Sequence, residues 1–431
     1  MSTRYWAIAA TVVLTAAACQ GAASPTPGPT TTATAGATES AAPTETAPPT
    51  IGPGEGELNL IIWPGYAESG ANYAEGYSPF TQAAGYSKDY QGYDWVNPFT
   101  EKTGCTVTTK EAGTSDEMVT LMRQGGGSVY DGGSFSGDAS NRLIAEGLLA
   151  EVDLALFPDF SDIWPPLQSP PHNTVDEKHY GVSHGWGANL LMYRTDLVTP
   201  APTSWDVVFD PNSPSKGKVT AYDSPIYIAD AALYLSKSRP ELGITDPYEL
   251  TQEQFDASVA LLKDQRKIIG KYWGTYTDNI ADYENGTSIL GTTWPYQVTV
   301  LKGENVAVEA VLPEEGATGW ADTWMMSANA AHPNCMLLWM QWMITPEAQQ
   351  QVAEYFGEAP ANIKACDLIE ANPGDYGYAG FCADQHATDE AFAQNVKFWK
   401  TPIEDCGDAR GNTCIDYSVW TQKWDEIKAA T

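Results

Sequence analysis

The chain has 431 residues, with 23 Lys and Arg against 55 Asp and Glu, and carries a formal charge of −32 at neutral pH. That balance excludes nucleic acid and an anionic membrane surface as partners, since both need basic patches, and it is compatible either with a cationic ligand or simply with solubility outside the cell. Beyond the terminal segments about 375 residues remain, more than one hydrophobic core usually holds, so two domains are expected.

In chain order, Arg4 precedes an apolar run, Tyr5 to Ala18, that stops at Cys19. A membrane-spanning helix needs ~20 apolar residues, so residues 1–18 read as a secretory signal peptide. Ala16-Ala17-Ala18-Cys19 resembles a bacterial lipobox, although the leucine usual three places before the cysteine is Ala16 here. On that reading Cys19 is lipidated and anchors the protein at the extracellular face of the cytoplasmic membrane, or in the periplasm. The alternative is an ordinary signal with an incidental cysteine. Residues 19–55 are almost entirely Ala, Thr, Pro, Ser and Gly, a composition that cannot bury enough apolar area to fold, and read as a disordered tether.

From Gly56 the pattern is that of an α/β protein. "LNLIIW" (58–63) is a largely apolar strand, followed by a tyrosine- and glycine-rich insertion at 67–93. In "GTSDEMVTLMRQG", Thr114 and Glu117 have capping-box spacing, Met118, Leu121 and Met122 share a face, and Gly125 can end the helix. A weaker strand, "SVYDGGS", leads into the helix "SGDASNRLIAEGLL", which begins near Ser136 or Asp138. This alternation predicts a parallel sheet with right-handed crossovers, whose ligand sits beyond the carboxyl ends of the strands. The second half continues with a strand ending at Asp223, helices at "IADAALYLSKS" and "TQEQFDASVALLKDQRK", a strand "SILGTTW", and the strand 306–312 before "LPEEGATGWADTWMM". Two helices follow, the second with Thr345 as cap and Pro346 at its first position.

Of the 7 cysteines, Cys19 apart, six can pair outside the cytoplasm, in 15 possible ways. Short spacing favours Cys406–Cys414 and Cys366–Cys382, which leaves Cys105–Cys335. No Cys-x-x-Cys occurs and the 5 histidines are scattered, so no metal site or cofactor is expected. His179 and His184 read as residues of a surface turn.

The residues at the predicted strand ends are Trp63 and Tyr66, Ser136 and Asp138, Asp223, Trp294, and Trp320 with Asp322. Aromatic faces attract cations and carboxylates bind ammonium groups, so this set suits an organic cation. Tryptophan is more often core than ligand platform, as expected of Trp339 and Trp342; Trp63 and Trp320 differ in sitting beside Pro or Gly at a strand-to-loop boundary. Asp138 is equally readable as a helix cap, and Asp223 before Ser-Pro as a turn residue.

From about Leu58 onward the chain resembles the solute-binding proteins of ABC importers, in the spermidine/putrescine branch. The segments that carry the resemblance are "IIWPGY", "TGCTVTTKEAGTSDEMVTLM", "YDGGSFSGD", "PTSWDVVFDP", "KGKVTAYDSP", "LPEEGATGWADTW" and "PEAQQQVAEYFGEAPAN". The resemblance implies a two-lobe periplasmic-binding-protein-like fold (type II), α/β throughout, with hinge crossings and a central cleft. It implies a first lobe of 57–182 plus 322–363 and a second of 183–321 plus 364–431, with crossings near 184–187, 319–322 and Ala359. It also implies a monomer that delivers a small molecule to ABC permease subunits served by a cytoplasmic ATPase, and no enzymatic activity. Trp63, Tyr66, Ser136, Asp223, Trp294, Trp320 and Asp322 match binding positions of the family, and Trp186 and Lys400 lie where further ligand contacts are expected.

Three positions depart from the family pattern. Ile226 stands where the family has an acid, Asp138 where it has tyrosine, and Lys400 where it has glutamine. A buried ammonium without its acid is costly, so a zwitterion such as a betaine or amino acid, or a sugar, is the alternative ligand. A secreted hydrolase using Asp223 and Asp322 is the alternative of another class, but no Gly-x-Ser-x-Gly or His-Glu-x-x-His motif supports it.

Overall fold

The structure is a computed structural model that describes residues 49–70 and 76–430. The expected signal peptide, Cys19 and the tether as far as residue 48 lie outside the described residues.

In chain order the strands are β1 (Glu57–Ile62), β2 (Thr106–Glu111), β3 (Gly132–Phe135), the short pair β4 (Thr174–Val175) and β5 (Lys178–His179), β6 (Gly181–Ala188) and β7 (Leu190–Arg194). They continue with β8 (Val219–Tyr222), β9 (Ile269–Trp273), β10 (Leu290–Thr293), β11 (Val308–Val311), β12 (Ala317–Met326), β13 (Ala359–Pro360) and β14 (Val396–Phe398). A larger sheet has the order β13-β6-β12-β3-β1-β2, with β14 also paired to β12; a smaller one has the order β11-β7-β10-β8-β9. Each sheet is the centre of one α/β half.

The expectation of a parallel sheet holds only in part. β2, β1 and β3 are parallel, as the βαβ alternation requires, but β12 runs antiparallel to both β3 and β6, and β7 antiparallel to β10 and β11. Strands arriving from the other half of the chain need no crossover helix, so direction is not constrained there.

The chain passes between halves quickly. β6 ends at Ala188 in the larger sheet, Asn189 intervenes, and β7 begins in the smaller. The return runs from Val311 to Ala317 through Gly316, whose φ of 89° provides the sharp turn. The residues 184–187 and 319–322, expected at the crossings, instead pair with each other inside β6 and β12, extending the larger sheet up to Asn189.

Local signals explain the helices. Thr114 Oγ1 accepts from the Glu117 backbone N–H, while the Glu117 carboxylate turns to the Gly113 N–H. Thr251 and Gln254 form a complete capping box, and Thr345 caps the helix Pro346–Phe356. Disulfides join Cys105 to Cys335, Cys366 to Cys382 and Cys406 to Cys414. Trp339 is fully buried, and Trp342 is partly buried against the same core.

Candidate functional site

A small cavity is lined by Trp63, Tyr66, Ser136, Trp294, Trp320 and Asp322. Each arrives for a local reason. Trp63 follows β1, and Tyr66 closes the turn back to it through its N–H to the Trp63 carbonyl. Trp320 and Asp322 are two apart on β12 and so face the same side. Ser136 begins the helix Gly137–Ala145 but makes no side-chain cap, because its hydroxyl donates to Asp322 Oδ1.

Sequence reasoning missed Tyr276, Phe356 and Trp399, which complete the walls together with Pro64. It also missed two residues behind the wall. Tyr66 Oη lies 2.8 Å from Asp322 Oδ2 and 2.8 Å from Glu358 Oε2. His184 packs edge-on to the Tyr66 ring at 4.8 Å, with Nδ1 3.7 Å from Glu358 Oε1 and Nε2 2.9 Å from Ser134 Oγ. The surface turn expected for His184 is therefore wrong: Asp322 pairs with Gly185 and Thr323 with Ser183, so the ladder skips His184, a bulge that sends its ring inward. The glycines around it make room. A Cβ on Gly185 would strike the Glu358 carboxylate, and one on Gly187 would come within 2.6 Å of the Trp320 ring. "HGWG" was the available signal for both.

Four expected ligand residues lie elsewhere. Asp138 is buried, with Oδ1 accepting from Ser115 Oγ at 2.7 Å, and does not reach the cavity wall. Asp223 accepts from Trp424 Nε1 at 2.8 Å and Lys428 Nζ at 3.0 Å. The side chain before it in the strand, Tyr222, faces the opposite way and is buried. Trp186 stacks on Trp164 at 5.3 Å as core. Lys400 pairs with Asp246 at 2.9 Å and Glu249 at 2.5 Å and does not line the cavity. Ile226 is fully buried.

Residues 94–374 match the model of a family described as bacterial extracellular solute-binding protein. The chain belongs to that family. This solute-binding protein is 24% identical over 287 residues to the spermidine/putrescine-binding periplasmic protein of Escherichia coli, covering 65% of this chain and 78% of that one. A putrescine/agmatine-binding protein of Pseudomonas aeruginosa is 25% identical over 317 residues, covering 67% and 82%. Among solved structures, the spermidine/putrescine ABC transporter substrate-binding protein of Streptococcus pneumoniae superposes with a TM-score of 0.61 at 17% identity, over 86% of this chain and 97% of that one. At that identity the likeness establishes the fold: two α/β lobes about a ligand cleft.

The electrostatics of this solute-binding protein follow from one shortage. Tyr66 has one proton to offer and two carboxylates within reach, and burial beside Asp322 and Glu358 pushes its own pKa well above the usual value. One carboxyl must therefore bring a proton. Burial raises Glu358 to about 8 and Asp322 to about 6, and hydrogen bonds from Ser136 and Tyr66 oppose the rise at Asp322. Burial lowers His184 to about 4. At neutral pH Asp322 is the anion, Glu358 is a neutral acid and His184 is uncharged. Among the described residues no helix is long and apolar enough to cross a membrane, and no His, Cys, Asp and Glu cluster suited to a metal occurs.

Proposed function

We propose that the protein is the extracellular substrate-binding component of an ABC importer, capturing a small organic cation of amine type and delivering it to permease subunits served by a cytoplasmic ATPase. The single observation that carries this reading is Asp322, an ionised carboxylate on the wall of an otherwise aromatic cavity. An ammonium there gains a charge-assisted hydrogen bond and cation–π contacts to Trp63, Trp294 and Trp320. The names of the relatives, which bind spermidine and putrescine, point the same way.

The rest of the reading is a monomer held to the membrane by lipid on Cys19, with 57–182 plus 322–363 closing against 183–321 plus 364–431. The hydrolase alternative loses its acid pair, because Asp223 is engaged by Trp424 and Lys428.

The test is a thermal-shift screen against spermidine, putrescine, choline, betaine, amino acids and sugars. A ligand at ~100 times its dissociation constant adds ~2.7 kcal/mol. Amines should raise the Tm, and Asp322→Asn should remove the rise. A rise with sugars and none with amines would reject the cation reading.

A further inference from the structure

Among the described residues that line the cavity, Asp322 is the one carboxylate. Both its oxygens already take hydrogen bonds: Oδ1 from the Ser136 hydroxyl, and Oδ2 from Tyr66 Oη at 2.8 Å. Tyr66 Oη is held in turn by Glu358 at 2.8 Å. The polar side chains Ser136 and Tyr66 are therefore engaged with Asp322, and about half of the lone-pair positions of its carboxylate are filled. What Asp322 offers a ligand is chiefly its charge.

The rest of the wall is ring surface. Trp63, Tyr276, Trp294, Trp320, Phe356 and Trp399 surround the space. Trp63 meets Trp294 edge-on at 6.1 Å, and Trp320 meets Phe356 edge-on at 6.3 Å, so neighbouring rings stand close to right angles, as the sides of a box do. The other acids expected here are engaged away from it, Asp138 with Ser115 and Asp223 with Lys428, and Ile226 adds no charge.

We propose that the cavity takes the head group of a quaternary ammonium ion, a singly charged cation with alkyl groups on nitrogen and no N–H. The inference rests on the reading of Asp322 as the partner of an organic cation, and it names the class of that cation. A primary ammonium brings three N–H donors. One of them finds a free lone pair on Asp322, and the others are left against ring faces, where a buried donor without a true acceptor is costly. Methylation reverses the balance: each N–H replaced is one donor fewer to satisfy, and each methyl group buries apolar surface against the rings. The positive charge keeps its attraction to the ring faces and to Asp322 without a hydrogen bond. One carboxylate matches one charge, and a small cavity suits a compact head group better than an extended chain.

Titration calorimetry with methylammonium, dimethylammonium, trimethylammonium and tetramethylammonium chlorides tests this on the unaltered protein, with choline set beside its uncharged isostere 3,3-dimethylbutan-1-ol. Affinity should rise along the series, tetramethylammonium binding roughly 10- to 100-fold more tightly than methylammonium. Choline should bind at least roughly tenfold more tightly than the alcohol. Trp63→Leu keeps an apolar wall but removes a ring face, and should weaken choline several-fold while the alcohol changes little; the ligand series carries the test if that variant does not fold. Methylammonium that binds as tightly as tetramethylammonium would overturn the quaternary head group and leave Asp322 as the partner of an ordinary amine. Equal affinity for choline and the alcohol, or equal losses of both in Trp63→Leu, would also overturn it, because the cavity would then be reading methyl groups and not charge. If no cation of the series binds, and no amine does, the cation reading of Asp322 itself fails.

Discussion

Tyr66 Oη and Glu358 Oε2 stand 2.8 Å apart, both buried, with Asp322 Oδ2 equally close on the other side of the phenol. The three groups form a chain in which Glu358 donates to Tyr66 and Tyr66 donates to Asp322. Glu358 therefore acts through Tyr66 and not on the ligand directly.

Replacing Glu358 by glutamine keeps a neutral donor, so ligand affinity at neutral pH should stay close to wild type. Stability should not. The Glu358 pKa rises from roughly 4.3 unfolded to about 8 folded, so the native state holds the extra proton between those values. Its contribution is complete at low pH and declines as pH rises toward 8, by up to about 1.4 kcal/mol per unit. Melting curves of both proteins from acid to mildly basic pH should show the wild type losing Tm that Glu358→Gln retains; parallel curves would mean Glu358 is already ionised.

Gly187→Ala tests the packing of the wall. The new methyl would lie 2.6 Å from the Trp320 ring, and β6 and β12 are paired too closely to separate, so the indole must move. Ligand affinity should fall by at least roughly tenfold with the fold intact by circular dichroism. Unchanged affinity would remove Trp320 from the binding surface.

Asp223→Asn should leave ligand binding untouched, because its carboxylate is engaged by Trp424 and Lys428. The half-exposed ion pair contributes at most about 1 kcal/mol to stability. A large loss of affinity in calorimetry would return Asp223 to the ligand.

Removing the Cys105–Cys335 disulfide by paired serine substitutions should cost about 2–5 kcal/mol in denaturant unfolding, with ligand affinity preserved. Cys105 precedes β2 and Cys335 lies on the helix Pro333–Met343, both packed with the larger sheet, so the bridge does not span the cleft. Loss of binding in the folded variant would contradict this.

Of the six cavity residues legible in the sequence, Trp63, Tyr66, Ser136 and Trp294 follow a strand or begin the next element, whereas Trp320 and Asp322 lie inside β12 and were marked by the glycine beside Trp320. Asp223 misled because strand alternation is exact to one residue, and Tyr222 took the inward position. Glu358 was illegible for a different reason. It follows the left-handed Gly357 that ends a helix, a place where an acid ordinarily meets solvent. Its burial comes from β13 pairing Ala359 with Trp186 and Pro360 with Gly185, partners more than a hundred residues away. Trp399 was hidden likewise, since β14 reaches the larger sheet only by pairing with β12.

Burial sets Asp138 and Asp322 near about 6, Asp230 near about 7 and Glu358 near about 8. At neutral pH Asp138 and Asp322 are mostly ionised, Asp230 is divided between its two forms and Glu358 holds its proton, so the effective charge is less negative than a count of acids suggests. A cation arriving beside such a group lowers its pKa and drives the proton out. Capture then carries a proton stoichiometry: the heat of amine binding should differ between Tris and phosphate in proportion to the ionisation enthalpy of the buffer, and equal heats would mean the carboxyls were already ionised.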